Sequence, residues 1–132
     1  MTLDDAHREV VRLHDFLGAW YRGELDRDRL LPDFSDALHA DFENVQPASN
    51  ILSKAEIVAA IGAAHGNNPD FRIEIEEPRL LAEWSGLILF QYVEYQTGAR
   101  NSAVENRRRS TVLFERGERL IWRYLTEVGM EP

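Results

Sequence analysis

Residues 71–76 have the sequence FRIEIE, and this alternation of apolar and charged side chains is typical of a β-strand with one buried face. Further strand-like segments follow at about residues 80–84, 87–97, 105–115 and 119–128. Short segments that contain glycine or proline separate them. The second half of the chain is therefore predicted to form an antiparallel meander.

The first half of the chain has the periodicity of helices. Apolar residues recur every three or four positions over residues 4–21, which predicts a long amphipathic N-terminal helix. A shorter helix is expected at residues 26–38, followed by a short strand at 40–47. The Ser53–Glu56 capping-box pattern predicts the start of a third helix at residues 54–64. Helices first and a meander afterwards indicate an α+β fold.

Composition excludes several classes of function. The chain has 132 residues, the size of one domain spanning residues 1–132, and it contains no cysteine. Disulfides, thiolate nucleophiles and cysteine-based metal sites are therefore excluded.

The net charge of −8 argues against nucleic-acid binding. An acidic N-terminal segment and the absence of long apolar runs predict no signal peptide and no membrane partner, so we expect a cytoplasmic protein.

Four short stretches mark the junctions between the predicted elements. They are WYRGELD at residues 20–26, LHADFENV at 38–45, LSKAEI at 52–57 and WRYLTE at 122–127. Their order and spacing resemble the nuclear-transport-factor-2-like superfamily, which includes SnoaL-like and ketosteroid-isomerase-like proteins. The resemblance implies a cystatin-like cone, in which a long N-terminal helix and two shorter helices pack on a curved, mostly antiparallel sheet. Because this superfamily contains both enzymes and association modules, the resemblance does not decide the function.

The activity best known for this superfamily is not expected here. Ketosteroid-isomerase-like members use an aspartate base before a proline, a tyrosine on the first helix and a protonated acid on a later strand. In this chain Gln46 precedes Pro47, and Phe16 stands at the tyrosine position. Residues 107–111 contain no carboxylate. We therefore predict that the chain does not use this mechanism.

The strands carry a set of charged residues that could form a site. A two-residue turn at Gly117–Glu118 would place Arg108 opposite Glu127 on the neighbouring strand. The preceding hairpin would place Glu94 near Arg107 or Arg108. One register therefore brings Glu94, Arg108 and Glu127 side by side on one face of the sheet.

Two placements of this set remain open, and Tyr92 shares its face in both. On the concave face, the three charged groups would form the floor of a ligand cavity with a perturbed carboxylate that binds or moves a proton. On the outer face, they would form a structural ion cluster, and Trp122 and Tyr124 would line the cavity instead. A shift of one residue in register exchanges the two sets.

Three more residues are candidates for the cavity wall or its mouth. Trp20 lies at the end of the first helix, where it packs in the core or lines the cavity. His39 and Asp41 could reach the cavity mouth, or they could serve only as a helix-end histidine and a capping or paired carboxylate. The predicted ligand-binding residues are Trp20, His39, Asp41, Tyr92, Glu94, Arg108, Trp122, Tyr124 and Glu127.

Histidine spacing and the missing nucleotide fingerprints predict no metal and no cofactor.

Our leading hypothesis is a small-molecule-binding protein that acts on a modest apolar ligand. It would be an enzyme if a desolvated carboxylate faces the cavity. The alternative is a non-catalytic association module that oligomerises or binds a peptide or carboxylate through arginine. Strands that are apolar on both faces, such as residues 87–90 and 112–114, predict a homodimer through the outer face of the sheet.

Overall fold

The computed structural model describes residues 2–100 and 102–131. These residues form three α-helices and six β-strands, with two single 3₁₀ turns at Arg27–Arg29 and Ser35–Ala37. The helices are α1 (Thr2–Arg22), α2 (Leu30–Asp33) and α3 (Lys54–Ala63). The strands are β1 (Leu38–Val45), β2 (Ile51–Ser53), β3 (Arg72–Glu83), β4 (Leu87–Thr97), β5 (Asn106–Glu115) and β6 (Ile121–Met130).

All six strands belong to one mixed sheet in the order β2-β1-β6-β5-β4-β3. Strands β1 and β6 are parallel, and the other neighbouring pairs are antiparallel. The sheet is open, with β2 and β3 at its edges. The expected α+β architecture, helices packed on a mostly antiparallel sheet, is therefore confirmed.

The predicted apolar stripe of α1 is the centre of the core. Its buried members are Ala6, Val10, Leu13, Phe16 and Trp20. They pack against apolar side chains from the inner face of the sheet. The Trp20 indole also donates a hydrogen bond of 2.7 Å to the Ile61 carbonyl oxygen, which ties α1 to α3.

The capping box predicted at the start of α3 is confirmed, because both of its hydrogen bonds are present. The Ser53 hydroxyl accepts from the Glu56 backbone N–H at 3.2 Å, and the Glu56 carboxylate accepts from the Ser53 N–H at 3.0 Å. This reciprocal pair satisfies two N–H groups that the first turn of a helix leaves unpaired. Lys54 then donates to the Leu38 carbonyl oxygen at 3.0 Å, so the start of α3 is fixed to β1.

Two predicted elements differ in extent from those in the structure. The helix expected at residues 26–38 is only the four-residue α2 between two 3₁₀ turns, and β1 begins at Leu38 rather than residue 40. The strands expected at 71–76 and 80–84 form one strand, β3. Glu77 has a positive φ of 49°, and a pairing irregularity there accommodates Pro78, which lacks an N–H. Because β3 lies at an edge of the sheet, this interruption is tolerated.

The two-residue turn predicted between β5 and β6 is wrong. Arg108 pairs with Gly129, and Ser110 pairs with Glu127, so the register is displaced by two residues. The Arg116 backbone N–H donates to the Gly86 carbonyl oxygen at 3.0 Å instead of closing a tight turn with β6. Because the displacement is even, Glu127 remains on the same face as Arg108.

Candidate functional site

A cavity of about 780 Å³ lies between the helices and the inner face of the sheet. This volume is within the usual range for small-molecule sites. Its wall is mostly apolar, with side chains that include Leu13, Leu17, Phe34, Phe42, Ile57 and Leu125. Polar side chains from four strands also line it: Asn44, Glu94, Gln96, Arg108 and Glu127. The cavity therefore combines a mostly apolar wall with polar side chains from the strands, and loop residues such as Asn50, Asn68 and Arg100 add further polar groups.

Four ionisable groups meet at this polar part of the cavity, and we call them the ion cluster. They are His14 of α1, Glu94 of β4, Arg108 of β5 and Glu127 of β6. Glu94 pairs directly with Arg108 across the two strands, as one of the predicted registers has it. The cluster faces α1, so the placement on the concave face is the correct one and the outer-face alternative is wrong.

His14 and Glu94 form a buried ion pair. The His14 Nε2 lies 2.9 Å from Glu94 Oε1, and Nδ1 donates to the Val10 carbonyl oxygen at 2.7 Å. Burial lowers the pKa of His14, but Glu94, the Val10 carbonyl and the charge of Glu127 together outweigh burial and raise that pKa overall. Burial raises the pKa of Glu94, but His14, Arg108 and the Gln96 amide together outweigh burial and lower it overall. Both ring nitrogens of His14 face oxygen acceptors, and only the imidazolium form can donate to both, so the contacts favour a pair of opposite charges.

Glu127 is the carboxyl group of the cluster that keeps a proton most readily. It is 8% exposed, and its Oε2 accepts a hydrogen bond of 3.1 Å from the Asn44 side-chain amide. Its Oε1 lies 3.5 Å from Arg108 Nη1. Burial first, and then the negative charge of Glu94, raise the pKa of Glu127. A buried carboxyl with a raised pKa at a cavity wall is a candidate for proton transfer.

Two hydroxyl groups, those of Tyr92 and Ser110, lie beside the ion cluster on the same face of the sheet. Tyr92 pairs with Ser110, and Ser110 pairs with Glu127, so the three residues form one row across the strands. Both hydroxyl groups are buried and have no hydrogen-bond partner among the described residues. Burial raises the pKa of Tyr92 well above its ordinary value, so this hydroxyl stays neutral.

The structure brings five of the predicted residues to or beside the cavity. Glu94, Arg108, Glu127 and Trp122 line it, and Tyr92 is buried beside them. Trp122 also donates from its indole N–H to Glu9 Oε2 of α1 at 2.8 Å. The ligand-binding role of each of these residues remains a prediction.

Trp20 lies in the core instead of the cavity wall. Its ring stacks on Phe16, and the edge of His65 meets it at a centroid distance of 4.5 Å. Together with the bond from its indole to Ile61, these contacts enclose the whole side chain. Packing therefore accounts for Trp20 completely.

Tyr124, His39 and Asp41 lie away from the cavity, which corrects their predicted placement. Tyr124 is 36% exposed on the outer face, because the pairing irregularity between Leu113 and Phe114 puts Trp122 inside and Tyr124 outside. His39 is not at a helix end but on β1, where its Nε2 lies 3.2 Å from a carboxylate oxygen of Glu115. The Asp41 side chain is exposed.

Several polar residues of the cavity were not predicted, among them His14, Asn44 and Gln96. His14 interrupts the apolar stripe of α1 directly after Leu13, and a polar residue on a buried helix face is a signal that could have identified it. Gln96 follows Glu94 at a spacing of two, on the same face of β4, and its amide donates to Glu94 Oε2. This spacing could have identified Gln96 as well.

In the part of the chain that the structure describes, no three His, Asp or Glu side chains are placed to hold a metal ion together. Helices within residues 2–100 and 102–131 lack the combination of length and apolarity required to span a membrane.

Solved structures match this fold over nearly its whole length. No protein-family model matches the sequence, and the comparison with curated proteins gives no match. An NTF2-like protein of unknown function from Pseudomonas aeruginosa has a TM-score of 0.88 and 29% identity, covering 96% of this chain and 99% of that one.

Two more distant structures carry functional names. A candidate dehydratase of the NTF2-like family from Streptomyces avermitilis has a TM-score of 0.77 and 12% identity, covering 99% of this chain and 97% of that one. A candidate calcium/calmodulin-dependent kinase II association domain from Exiguobacterium sibiricum has a TM-score of 0.62 and 17% identity, covering 96% and 95%. At these identities the likeness shows the fold alone. The element order, the cavity under α1 and the likeness to the Pseudomonas protein together confirm the predicted resemblance of this chain to the nuclear-transport-factor-2-like superfamily.

Proposed function

We propose that this chain is an enzyme that binds a small, mostly apolar molecule in the cavity and exchanges a proton with it at Glu127. The observation that carries the proposal is the position of Glu127, a buried carboxyl group with a raised pKa at the wall of a mostly apolar cavity. General acid–base catalysis is most effective when the pKa of the catalytic group lies near the working pH.

The neighbours of Glu127 support this role. Asn44 donates to one carboxylate oxygen and leaves the other near Arg108, so the carboxyl group is held in one orientation. The His14–Glu94 pair keeps a negative charge close to Glu127, and this charge favours its protonated form. The proposed chemistry differs from that of ketosteroid isomerase, since Phe16 stacks between Trp20 and Phe34 and carries no hydroxyl group.

A non-catalytic association module is the second candidate function. A cavity whose charges came only from arginine would favour this alternative. Here Glu94 and Glu127 line the cavity together with Arg108, and the cavity is open enough to hold a ligand. These observations favour an enzyme over a module that only assembles.

Replacing Ala60 by tryptophan is expected to weaken binding of octanamide, an uncharged apolar probe, by about tenfold or more, because the indole would fill part of the cavity. Ala60 lines the cavity from α3. Titration calorimetry measures the change. Ala59→Trp is the matched control, because Ala59 is exposed on the same helix and does not line the cavity. Equal affinity of both variants and the wild type would contradict a site in this cavity.

We also propose that the chain forms a homodimer through the outer face of the sheet. Leu89, Leu113 and Tyr124 lie side by side across β4, β5 and β6 on that face. Val128 is also on the outer face and is 63% exposed. The row Gln91–Thr111–Thr126 separates Val128 from the other three residues. Apolar side chains left exposed on a sheet face are typical of an interface between subunits.

The homodimer predicts an apparent mass of about twice 15.2 kDa in size-exclusion chromatography at micromolar concentration. Tyr124→Arg is expected to shift the protein to the monomer, because each interface would then carry two unpaired charges. Ile51→Arg is the control, since Ile51 is an exposed apolar residue on the edge strand β2. Elution of the wild type as a monomer would refute this proposal.

A further inference from the structure

We propose that the ligand of the cavity carries a carboxylate group, that this carboxylate replaces Glu127 as the partner of Arg108, and that Glu127 takes up a proton from solvent in the exchange. The inference rests on the proposed binding of a small apolar molecule and specifies its polar end. It defines the ligand class as apolar monocarboxylates.

Arg108 has more hydrogen-bond donors than its surroundings use. A guanidinium group has five N–H donors in a planar fork. Nη1 reaches Glu127 only at 3.5 Å, and Nη2 reaches the Asn106 side-chain oxygen at 3.4 Å. Within residues 2–100 and 102–131, no acceptor is placed to bond with Nε, although this atom is buried. The Arg108 side chain is 17% exposed, and with such long contacts and a buried Nε that is unpaired among the described residues it has an unfilled capacity for an acceptor.

Neither carboxylate of the ion cluster can satisfy this capacity. Glu94 directs one oxygen to His14 and the other to the Gln96 amide. Glu127 directs Oε2 to Asn44, so only Oε1 faces Arg108. Both carboxylates are thus divided between two partners, whereas the arginine fork matches two oxygens of one carboxylate. A carboxylate that enters from the cavity can provide both.

The charges around Glu127 explain the uptake of a proton. From α1, His14 and Tyr21 face it, and from β4, Tyr92 and Glu94 do so. From β5, Arg108 faces Glu127, and from β1 the uncharged Asn44 contacts it. Among the described residues of α3, the side chains that line the cavity are apolar.

Within the ion cluster, the positive charges of protonated His14 and of Arg108 balance the ionised Glu94 and Glu127. Arg100 also lines the cavity, but it is exposed and donates to the Asn67 carbonyl oxygen, outside the cluster. A ligand carboxylate adds one further negative charge to this enclosed space, and an unbalanced buried charge is costly. Glu127 is the group that can remove this charge, since burial and the charge of Glu94 already raise its pKa. Protonation of Glu127 also releases Arg108 from its ion pair, so the arginine becomes available to the ligand.

Octanoate and octanamide are suitable probes, because they have the same apolar chain and nearly the same shape but differ in charge. By titration calorimetry at pH 7, octanoate is expected to bind the wild type about tenfold more tightly than octanamide, or better. In two buffers with different heats of ionisation, octanoate binding is expected to consume protons. Octanamide binding is expected to leave the proton balance unchanged.

Arg108→Gln is expected to weaken octanoate binding by about 10- to 100-fold and to change octanamide binding much less, because the amide carries no charge to pair with Arg108. Arg107→Gln is the matched control. Arg107 is the neighbouring arginine on the outer face, where it pairs with Glu76 and lies over the Tyr95 ring. If Arg108→Gln does not fold, the two probes and the two buffers decide the question on the wild type alone.

Each result has a distinct meaning. Equal affinity for the two probes would overturn the carboxylate inference and leave the proposed small-molecule site intact. Failure of both probes to bind would overturn the proposed site as well. Octanoate binding without proton uptake would overturn the exchange at Glu127. Tighter binding of the peptide Gly-Gly-Leu than of octanoate, lost when its C-terminus is amidated, would overturn the small-molecule class in favour of a peptide carboxylate.

Discussion

Replacing Glu94 by alanine is expected to lower the free energy of unfolding by about 3–5 kcal/mol, because it removes one partner from a buried ion pair. Glu94 is 5% exposed, and its carboxylate accepts from both His14 and Gln96. Without it, the His14 imidazolium loses its balancing charge and Arg108 loses the opposite member of its strand pair. Urea denaturation followed by tryptophan fluorescence measures the loss.

Glu74→Ala is the control for this change, because Glu74 lies on the neighbouring strand β3 and is exposed. Its effect should stay within about 0.5 kcal/mol, as is usual for surface positions. Glu94→Gln keeps the volume of the side chain and one oxygen acceptor, so we expect a loss between those of the other two variants. A cost below about 1 kcal/mol for Glu94→Ala would show that the ion pair does not stabilise the fold.

The free energy of unfolding is also expected to fall as the pH rises from about 5 to about 8. The pKa of His14 in the folded protein is raised above 6.5, and that of Glu127 is raised above 4.5. The folded state therefore holds both protons more tightly than the unfolded chain. Their stabilising contribution is complete below the unfolded pKa values and disappears as the pH rises through the folded ones. Each full unit of pKa difference corresponds to about 1.4 kcal/mol.

Glu94 acts in the opposite direction and in a lower range of pH. Because its pKa in the folded protein is lowered from 4.5, its contribution is present above that value and disappears as the pH falls through the folded pKa. Between about pH 5 and 8, the slope from the ion cluster therefore comes from His14 and Glu127.

Glu127→Gln is expected to make this pH dependence weaker, since glutamine does not titrate. Glu131→Gln, a change at an exposed carboxylate four residues further on, should leave the slope unchanged. Denaturation curves at several pH values provide the measurement for the wild type and both variants. If the three proteins have the same slope, Glu127 does not hold its proton more tightly in the folded state.

The parts of the fold that were predicted correctly depend on neighbours along the chain. The apolar stripe of α1 and the Ser53–Glu56 capping box both join residues three or four positions apart in the chain, and both are present in the structure. The extent of α2 was predicted less well, because Pro32 and the turns around it do not allow a regular helix of that length. The pairing of Glu94 with Arg108 was anticipated as one of two neighbouring registers.

The candidate site was predicted only in part, because long-range contacts position its members. His14 and Glu94 are 80 residues apart in the chain, and Asn44 and Glu127 are 83 apart. No pattern within a strand or helix indicates that such side chains meet. Tyr124 was assigned to the cavity because a regular alternation put it on the same face as Trp122, and the irregularity in β6 pairing breaks that alternation.

The sequence by itself determined the order and type of the elements. It also placed Glu94, Arg108 and Glu127 on one face of the sheet. That placement is correct although the register is displaced, because side chains alternate with a period of two and a displacement of two residues leaves each on the same face. Only the tertiary structure decided that this face is the inner one. Both faces of β4 and β5 carry apolar side chains, so burial alone did not distinguish them. The choice came from α1, which packs on the face that lets His14 contact Glu94 and encloses the ion cluster in a mostly apolar cavity.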